Sequence, residues 1–153
     1  TEFGKQIREI ALFQTFQNPK TELFLFLSDR SEHYKSVIEN TLNVLSDRSF
    51  ISGIAYALSN KDFDEDWLIE LNLFAINNHL PDKVILFEID EANLIQRLSN
   101  KSNDKIEKRG IDYLLNIQKI MKKIIIKLNI DFIVVDATLS REVIHNKILN
   151  FIA

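Results

Sequence analysis

Two aspartate–arginine pairs could do chemistry, and both lie in the same five letters. Leu27-Ser28-Asp29-Arg30-Ser31 and Leu45-Ser46-Asp47-Arg48-Ser49 are identical pentapeptides in different settings. The first follows the apolar run Leu23-Phe24-Leu25-Phe26. The second follows Asn43-Val44 and leads into Phe50-Ile51-Ser52. Arginine carries a planar fork of donors that grips phosphate or carboxylate. An aspartate beside it can order the guanidinium or hold a metal ion. The plainer reading of each pair is a solvated ion pair at the end of an element.

Other residues sort against these two pairs. Phe26 precedes Arg30 by four positions, so on a helix both face one side. Together they could take an aromatic base, one by stacking and the other by hydrogen bonding. Alternatively, Phe26 is a core residue. Arg8 reads as a solvated charge on a first helix. Asp104 and Glu107 lie three apart at a helix start, where acids are stabilising whatever their function. With Arg97, Lys101, Lys105, Lys108 and Arg109 they form a mixed-charge segment. Cationic segments that fold over phosphates occur as lids. His33, His79 and His145 lack metal-ligand spacing. The chain has 3 glycines, and no Gly-x-x-x-x-Gly-Lys phosphate loop can be built from them.

The elements that would position these groups follow from periodicity and punctuation. Helices are predicted over 5–14, 20–40, 49–58, 64–79, 91–99, 105–128 (with Gly110 inside it) and 140–151. Short apolar runs predict strands at Val44–Asp47, Lys83–Asp90 and Asp131–Asp136. Helices alternating with apolar, non-alternating strands mean an α/β fold, a parallel sheet flanked by helices on both faces. Ligands in such sheets bind beyond the carboxyl ends of the strands. Asp47-Arg48 falls at one such end, and Glu88 and Asp90 near another. Ile38 to Val44 joins helix to strand in few residues without Gly or Pro, which predicts a break in the chain at Asn40–Asn43.

Composition bounds the function. A chain of 153 residues with 46% hydrophobic content can bury one sizeable core, so one domain, 1–153, is expected. A net charge of −3 with dispersed basic residues argues against nucleic acid and anionic membranes as partners. The absence of cysteine excludes disulfides and thiolate metal sites, and fits a cytoplasmic location. No apolar stretch nears the roughly 18 residues of a membrane span.

Taken in order, these pieces resemble thymidylate kinase, in the versions of the Helicobacter and Campylobacter group. The stretches that carry the likeness are Thr1–Ile10, Phe24–His33, Leu45–Tyr56, Leu71–Asp82 and Asp104–Glu107. They run through nearly the whole chain. The resemblance implies a P-loop nucleoside monophosphate kinase fold, Mg2+, ATP as co-substrate, dTMP as acceptor and a homodimer. It implies that Phe26 stacks on thymine and Arg30 bonds a thymine carbonyl. Arg8 and Arg48 would hold the dTMP phosphate, with Asp47 near the magnesium ion. Tyr56 would pack against the deoxyribose, with Ser52 at the start of the same helix. Lys101, Asp104, Lys105 and Glu107 would belong to a lid over about 99–108. The apolar first half of helix 20–40 and helix 64–79 would supply the dimer face.

Three departures accompany the likeness. The family's opening strand, phosphate loop and helix would need roughly 30 residues upstream of Thr1, and residues 1–153 without them are expected to be inactive. Gly53 and Ala57 stand where the family usually has Ser or Asn, and often Gln. The lid offers lysines, which neutralise charge but cannot form a bidentate fork. The rival expectations are a nucleotide kinase of different base preference and a non-catalytic or structural domain that lost its phosphate loop.

Overall fold

The computed structural model describes residues 1–59, 62–99 and 110–153. They fall into two compact units, Thr1–Leu80 and Pro81–Ala153.

The first unit is helical: α1 (Glu2–Phe13), α2 (Pro19–His33), α3 (Phe50–Ser59) and α4 (Glu65–Ala75). Three of its helices are capped as their sequences dictate. The Thr1 hydroxyl accepts from Gly4 N–H at 2.9 Å, which starts α1 earlier than the predicted Lys5. Asn18 accepts from Lys20 N–H, with Pro19 in the first turn where a missing N–H costs nothing. Asp64 accepts from Trp67 N–H at 2.9 Å, with Glu65 and Asp66 completing an acidic first turn. Leu23, Leu27, Ile51, Ile54, Leu68 and Ile69 turn inward. Each such side chain contributes about 1.5–3 kcal/mol by leaving water.

Three expectations for this unit are corrected. Helix 20–40 does not run unbroken. The α-helical pattern gives way to a π-helical turn, Tyr34–Ile38, with Glu39 N–H reaching Tyr34 C=O at 2.9 Å. Ser36, Asn40 and Thr41 all turn their side chains back onto helix carbonyls, which competes with regular helical bonding. Nor is Val44–Asp47 a strand. Leu42 and Leu45 are 96% and 95% exposed, and the two strands among the described residues pair with each other. An unpartnered extended segment leaves its N–H and C=O groups to water, so the propensity of Val44 and Leu45 is not realised. Finally, the backbone continues through 38–45, with Thr41 N–H bonded to Ile38 C=O, so there is no break at Asn40–Asn43.

The second unit holds the sheet. Strand β1 (Lys83–Glu88) pairs in parallel with β2 (Asp131–Asp136), from Lys83 opposite Asp131 to Glu88 opposite Asp136. Helices α5 (Glu91–Ser99), α6 (Ile111–Lys127) and α7 (Arg141–Ile152) flank it. The predicted strand 83–90 stops at Glu88 because Asp90 instead caps α5, accepting from Asn93 N–H at 2.8 Å. The core is Leu86 and Val135 from the strands with Ile117, Ile124 and Ile125 from α6. Of the predicted helix 105–128, residues 105–109 lie outside the described residues. Gly110 precedes α6 rather than lying inside it, at φ 101°, a conformation that glycine alone adopts freely.

Candidate active site

The first unit brings two arginines to one helix. Arg30, near the end of α2, is held inside the unit, and its Nη1 donates to the Oδ1 of Asn72 on α4. Its Nη2 lies against α3 at Gly53, where a Cβ would sit only 2.7 Å away. Burial pushes the Arg30 pKa down to about 10, opposed by the neighbouring Asp29 carboxylate. The guanidinium therefore stays charged at neutral pH. Asp29 also marks where α1 meets α2, since a Cβ at Gly4 would lie 2.5 Å from its Oδ1. Phe26, one turn before Arg30, is 43% exposed and is not sealed in the core.

Arg48 reaches α3 from the other end. Its backbone is left-handed, φ 70°, which costs a residue with a Cβ roughly 1–2 kcal/mol. The Ser46 hydroxyl donates to Arg48 C=O at 2.6 Å and holds that turn. The side chain then lies along α3. Its Nη1 donates to Tyr56 Oη at 3.1 Å, with the guanidinium carbon 5.9 Å from the ring centroid. Gly53 and Tyr56 are three residues apart, so both guanidinium groups converge on a single turn of α3. The first turn of that helix carries Ser52, half-buried, whose N–H bonds Ser49 C=O. A helix N-terminus preceded by an arginine suits an anion.

Not every candidate is drawn in. Arg8 on α1 and Asp47 are exposed, and neither forms a hydrogen bond or ion pair among the described residues. Lys101, Asp104, Lys105 and Glu107 lie outside the described residues. Sequence reasoning missed Asn72. The buried positions of α4 are Leu68, Ile69, Asn72 and Ala75, an apolar stripe interrupted by one amide. That interruption was the available signal.

In the second unit the acids do collect beyond the strand ends. Glu88, Asp90, Gln118, Asp136 and Lys147 line a pocket of about 440 Å3 there. Gln118 spans from α6 to the end of β1, accepting from Ile89 N–H at 2.9 Å and donating to its C=O at 3.1 Å. No group of three or more metal-ligating side chains occurs among the described residues. Asp90 caps α5, and Asp136 holds the turn after β2, accepting from Thr138 N–H at 2.8 Å. Asn93 N–H and then its side-chain amide hold Asp90 below its usual carboxylate value. The Thr138 hydroxyl and then its N–H do the same for Asp136. Both folded values are lowered. The stability they contribute is therefore present above the usual value of 3.8 and lost as pH falls through the lowered values. Replacing both with Asn is expected to make the urea midpoint fall less steeply between about pH 5 and pH 3 than in the parent. Superimposable midpoint–pH curves would remove this role.

Comparison with known proteins gives one family. A family model described as thymidylate kinase matches residues 1–148. The chain is similar to a thymidylate kinase of Sulfurovum sp. at 50% identity, over 99% of this chain and 81% of that protein. One from Aliarcobacter butzleri is 49% identical over 99% and 80%. One from Campylobacter jejuni is 45% identical over 99% and 81%.

Proposed function

Since the chain belongs to the thymidylate kinase family, we propose that residues 1–80 hold the dTMP end of its reaction on the shared turn of α3. The activity is that of a dTMP kinase, transferring the γ-phosphoryl group of ATP to dTMP to give ADP and dTDP. The fold is the P-loop nucleoside monophosphate kinase fold. We read the chain as one such domain, with a lid over about 99–108.

The single observation that carries the assignment is the convergence of Arg30 and Arg48 on Gly53 and Tyr56. A nucleotide is a flat base and an anion joined by a sugar. The two cations fit its two ends. Phe26 offers a partly exposed ring one turn from Arg30, to stack on thymine while Arg30 donates to a base carbonyl. Arg48 takes the phosphate at the start of α3, together with Arg8. Tyr56 lies between and packs against the deoxyribose, where a ribose 2′-hydroxyl would protrude. Ser52 completes the first turn. Lys101, Asp104, Lys105 and Glu107 complete the lid.

Mg2+ fits the exposed Asp47 carboxylate, since that ion takes one or two carboxylates and shares the rest of its shell among phosphates and water. When bound it neutralises phosphate charge. The residues themselves act by positioning: they fix the acceptor phosphate in line and offset its charge, with no covalent intermediate. We read the protein as a homodimer, supported by Phe24 on α2 and Trp67 and Phe74 on α4, which are 52%, 38% and 81% exposed. We place it in the cytoplasm. Among the described residues no helix is long and apolar enough to cross a membrane.

The direct test is ADP release by the full-length gene product with dTMP, dUMP and CMP. One missing methyl group is worth about 10-fold, so dTMP is expected to exceed dUMP by that factor. CMP, which lacks the 4-carbonyl and carries the 2′-hydroxyl, is expected to fall further still. Equal rates with CMP would sink the base assignment. Sedimentation of the same preparation at the mass of one chain would sink the homodimer.

A further inference from the structure

Asn72 is 1% exposed and is the polar side chain buried in the core among the described residues. A buried amide is costly unless both its ends are satisfied. Here both are. Nδ2 donates to Leu68 C=O, one turn back on α4, at 2.7 Å. Oδ1 accepts from Arg30 Nη1. These partners leave one possible orientation. Turned over, the amide would set its NH2 against a guanidinium that has only donors, and its oxygen against a carbonyl that only accepts. Leu68 C=O thus fixes which atom of Asn72 faces Arg30.

Gly53 works from the opposite side. It lies inside α3, where glycine is the poorer helix former and nothing in its backbone conformation requires it. The neighbour on that side is Arg30, whose guanidinium would have to shift to admit a side chain. A Cβ would lie 2.7 Å from Nη2 and 3.5 Å from the guanidinium carbon. The group is held between an accepting oxygen and a bare stretch of helix backbone.

We infer that Asn72 and Gly53 are positioning residues for base selection, fixing the Arg30 guanidinium in one pose by a buried acceptor on one face and a missing side chain on the other. This rests on the reading of Arg30 as the contact to a base carbonyl. Neither Gly53 nor Ala57 can offer a side-chain hydrogen bond, so selection falls on this guanidinium. A guanidinium has five donors and no acceptor, and it rewards a 4-oxo pyrimidine over one bearing a 4-amino group. That preference is only as sharp as the pose is fixed.

The experiment is steady-state kinetics of the full-length protein. Asn72→Leu, close in shape but without the acceptor, is expected to raise the KM for dTMP about 10-fold, the loss of one hydrogen bond to a charged group. Its kcat and its KM for ATP are expected to stay within about threefold, which a general loss of folding would not allow. Asn72→Asp keeps an accepting oxygen towards Arg30 but sets its second oxygen against Leu68 C=O, so it is expected to return the KM for dTMP part of the way to that of the parent, with a lower melting temperature. Gly53→Ala drives a methyl group into Nη2 without touching the core. It too is expected to raise the KM for dTMP about 10-fold, with an undiminished melting temperature. It decides the matter should Asn72→Leu not fold.

The underlying reading is separated by Arg30→Met, alone and with Asn72→Leu. If Arg30→Met leaves the KM for dTMP unchanged, the base contact itself is wrong. If it raises the KM while Asn72→Leu and Gly53→Ala do not, only the positioning role is overturned. Where Asn72 acts through Arg30, the double variant is no worse than Arg30→Met. Multiplying effects would show Asn72 acting independently and overturn the inference.

Discussion

Arg48→Ala is expected to lower kcat/KM for dTMP by on the order of 10³-fold, while leaving the folding free energy within about 0.5 kcal/mol of the parent. The two halves of that expectation have different causes. Arg48 is exposed and in the left-handed region at φ 70°. Among the described residues, the others with such φ values that are not glycine are Asn77, Asn78 and Asn129, the type that tolerates it best. An arginine there has no local reason to be. Strain kept at an exposed charged residue, with Ser46 donating to its carbonyl, is the kind that persists where a site demands it. Alanine keeps the same Cβ and hence the same backbone cost, so stability does not change. It removes the fork that turns to Tyr56 and, in the proposed site, meets the acceptor phosphate. That phosphate is the nucleophile, and it must be held in line while two anionic groups close on each other, so the loss of a cation that aligns it and offsets that repulsion falls on kcat as well as on KM. Arg48→Gly sharpens the contrast. It relieves the backbone and is expected to gain up to about 1 kcal/mol, with activity lost as in Arg48→Ala. Arg48→Lys recovers the charge but not the fork, and is expected to fall between them. Unchanged kcat/KM in Arg48→Ala would remove this residue from the site.

How much of this was legible in the chain divides along physical lines. The strands Lys83–Glu88 and Asp131–Asp136 were legible because each is an apolar run bounded by charge, the composition that parallel strands carry. The helices were legible from spacing and caps, although the predicted 64–79 stops at Ala75, before Asn77 and Asn78 turn left-handed. Val44–Asp47 misled because the same letters that suit a strand are indifferent to whether a partner lies alongside. A strand is a property of two segments, and one segment's composition cannot report the other. The π-helical turn at Tyr34–Ile38 was invisible because it depends on competing hydrogen bonds from Ser36, Asn40 and Thr41 that no hydrophobic pattern records.

The site divides in the same way. Asp47-Arg48 and Phe26-x-x-x-Arg30 could be singled out because charge beside an apolar run is unusual at the level of letters. Asn72 and Gly53 could not be singled out as a pair, being 19 positions apart on different helices, with Arg30 between them. A glycine in a helix reads as a weak position and an asparagine in a stripe as a blemish. Each is explained only by the guanidinium that lies between them. The repeated pentapeptide shows how position outweighs letters. Asp29-Arg30 lies near the end of α2 with its arginine half-buried, whereas Asp47-Arg48 lies in an exposed turn before α3 with its backbone strained.

Leu68→Ala tests whether that buried arrangement depends on one amide or on the core around it. Leu68 is wholly buried on α4. Truncating it removes most of a side chain from a packed interior and leaves a void the neighbours only partly fill. The expected loss is about 3–4 kcal/mol, read as a lower urea midpoint with an unchanged slope. A loss under about 1 kcal/mol would mean the position is not core. The backbone of residue 68 is untouched, so its carbonyl still accepts from Asn72 Nδ2 and still points Oδ1 at Arg30. In the surviving folded population, the KM for dTMP is therefore expected to stay within about threefold, although the protein is far less stable than in Asn72→Leu. Stability and base affinity should part company at adjacent turns of one helix. If Leu68→Ala raised the KM as Asn72→Leu does, the pose of Arg30 would be set by the bulk of the core, and the amide would be only one of many groups filling it.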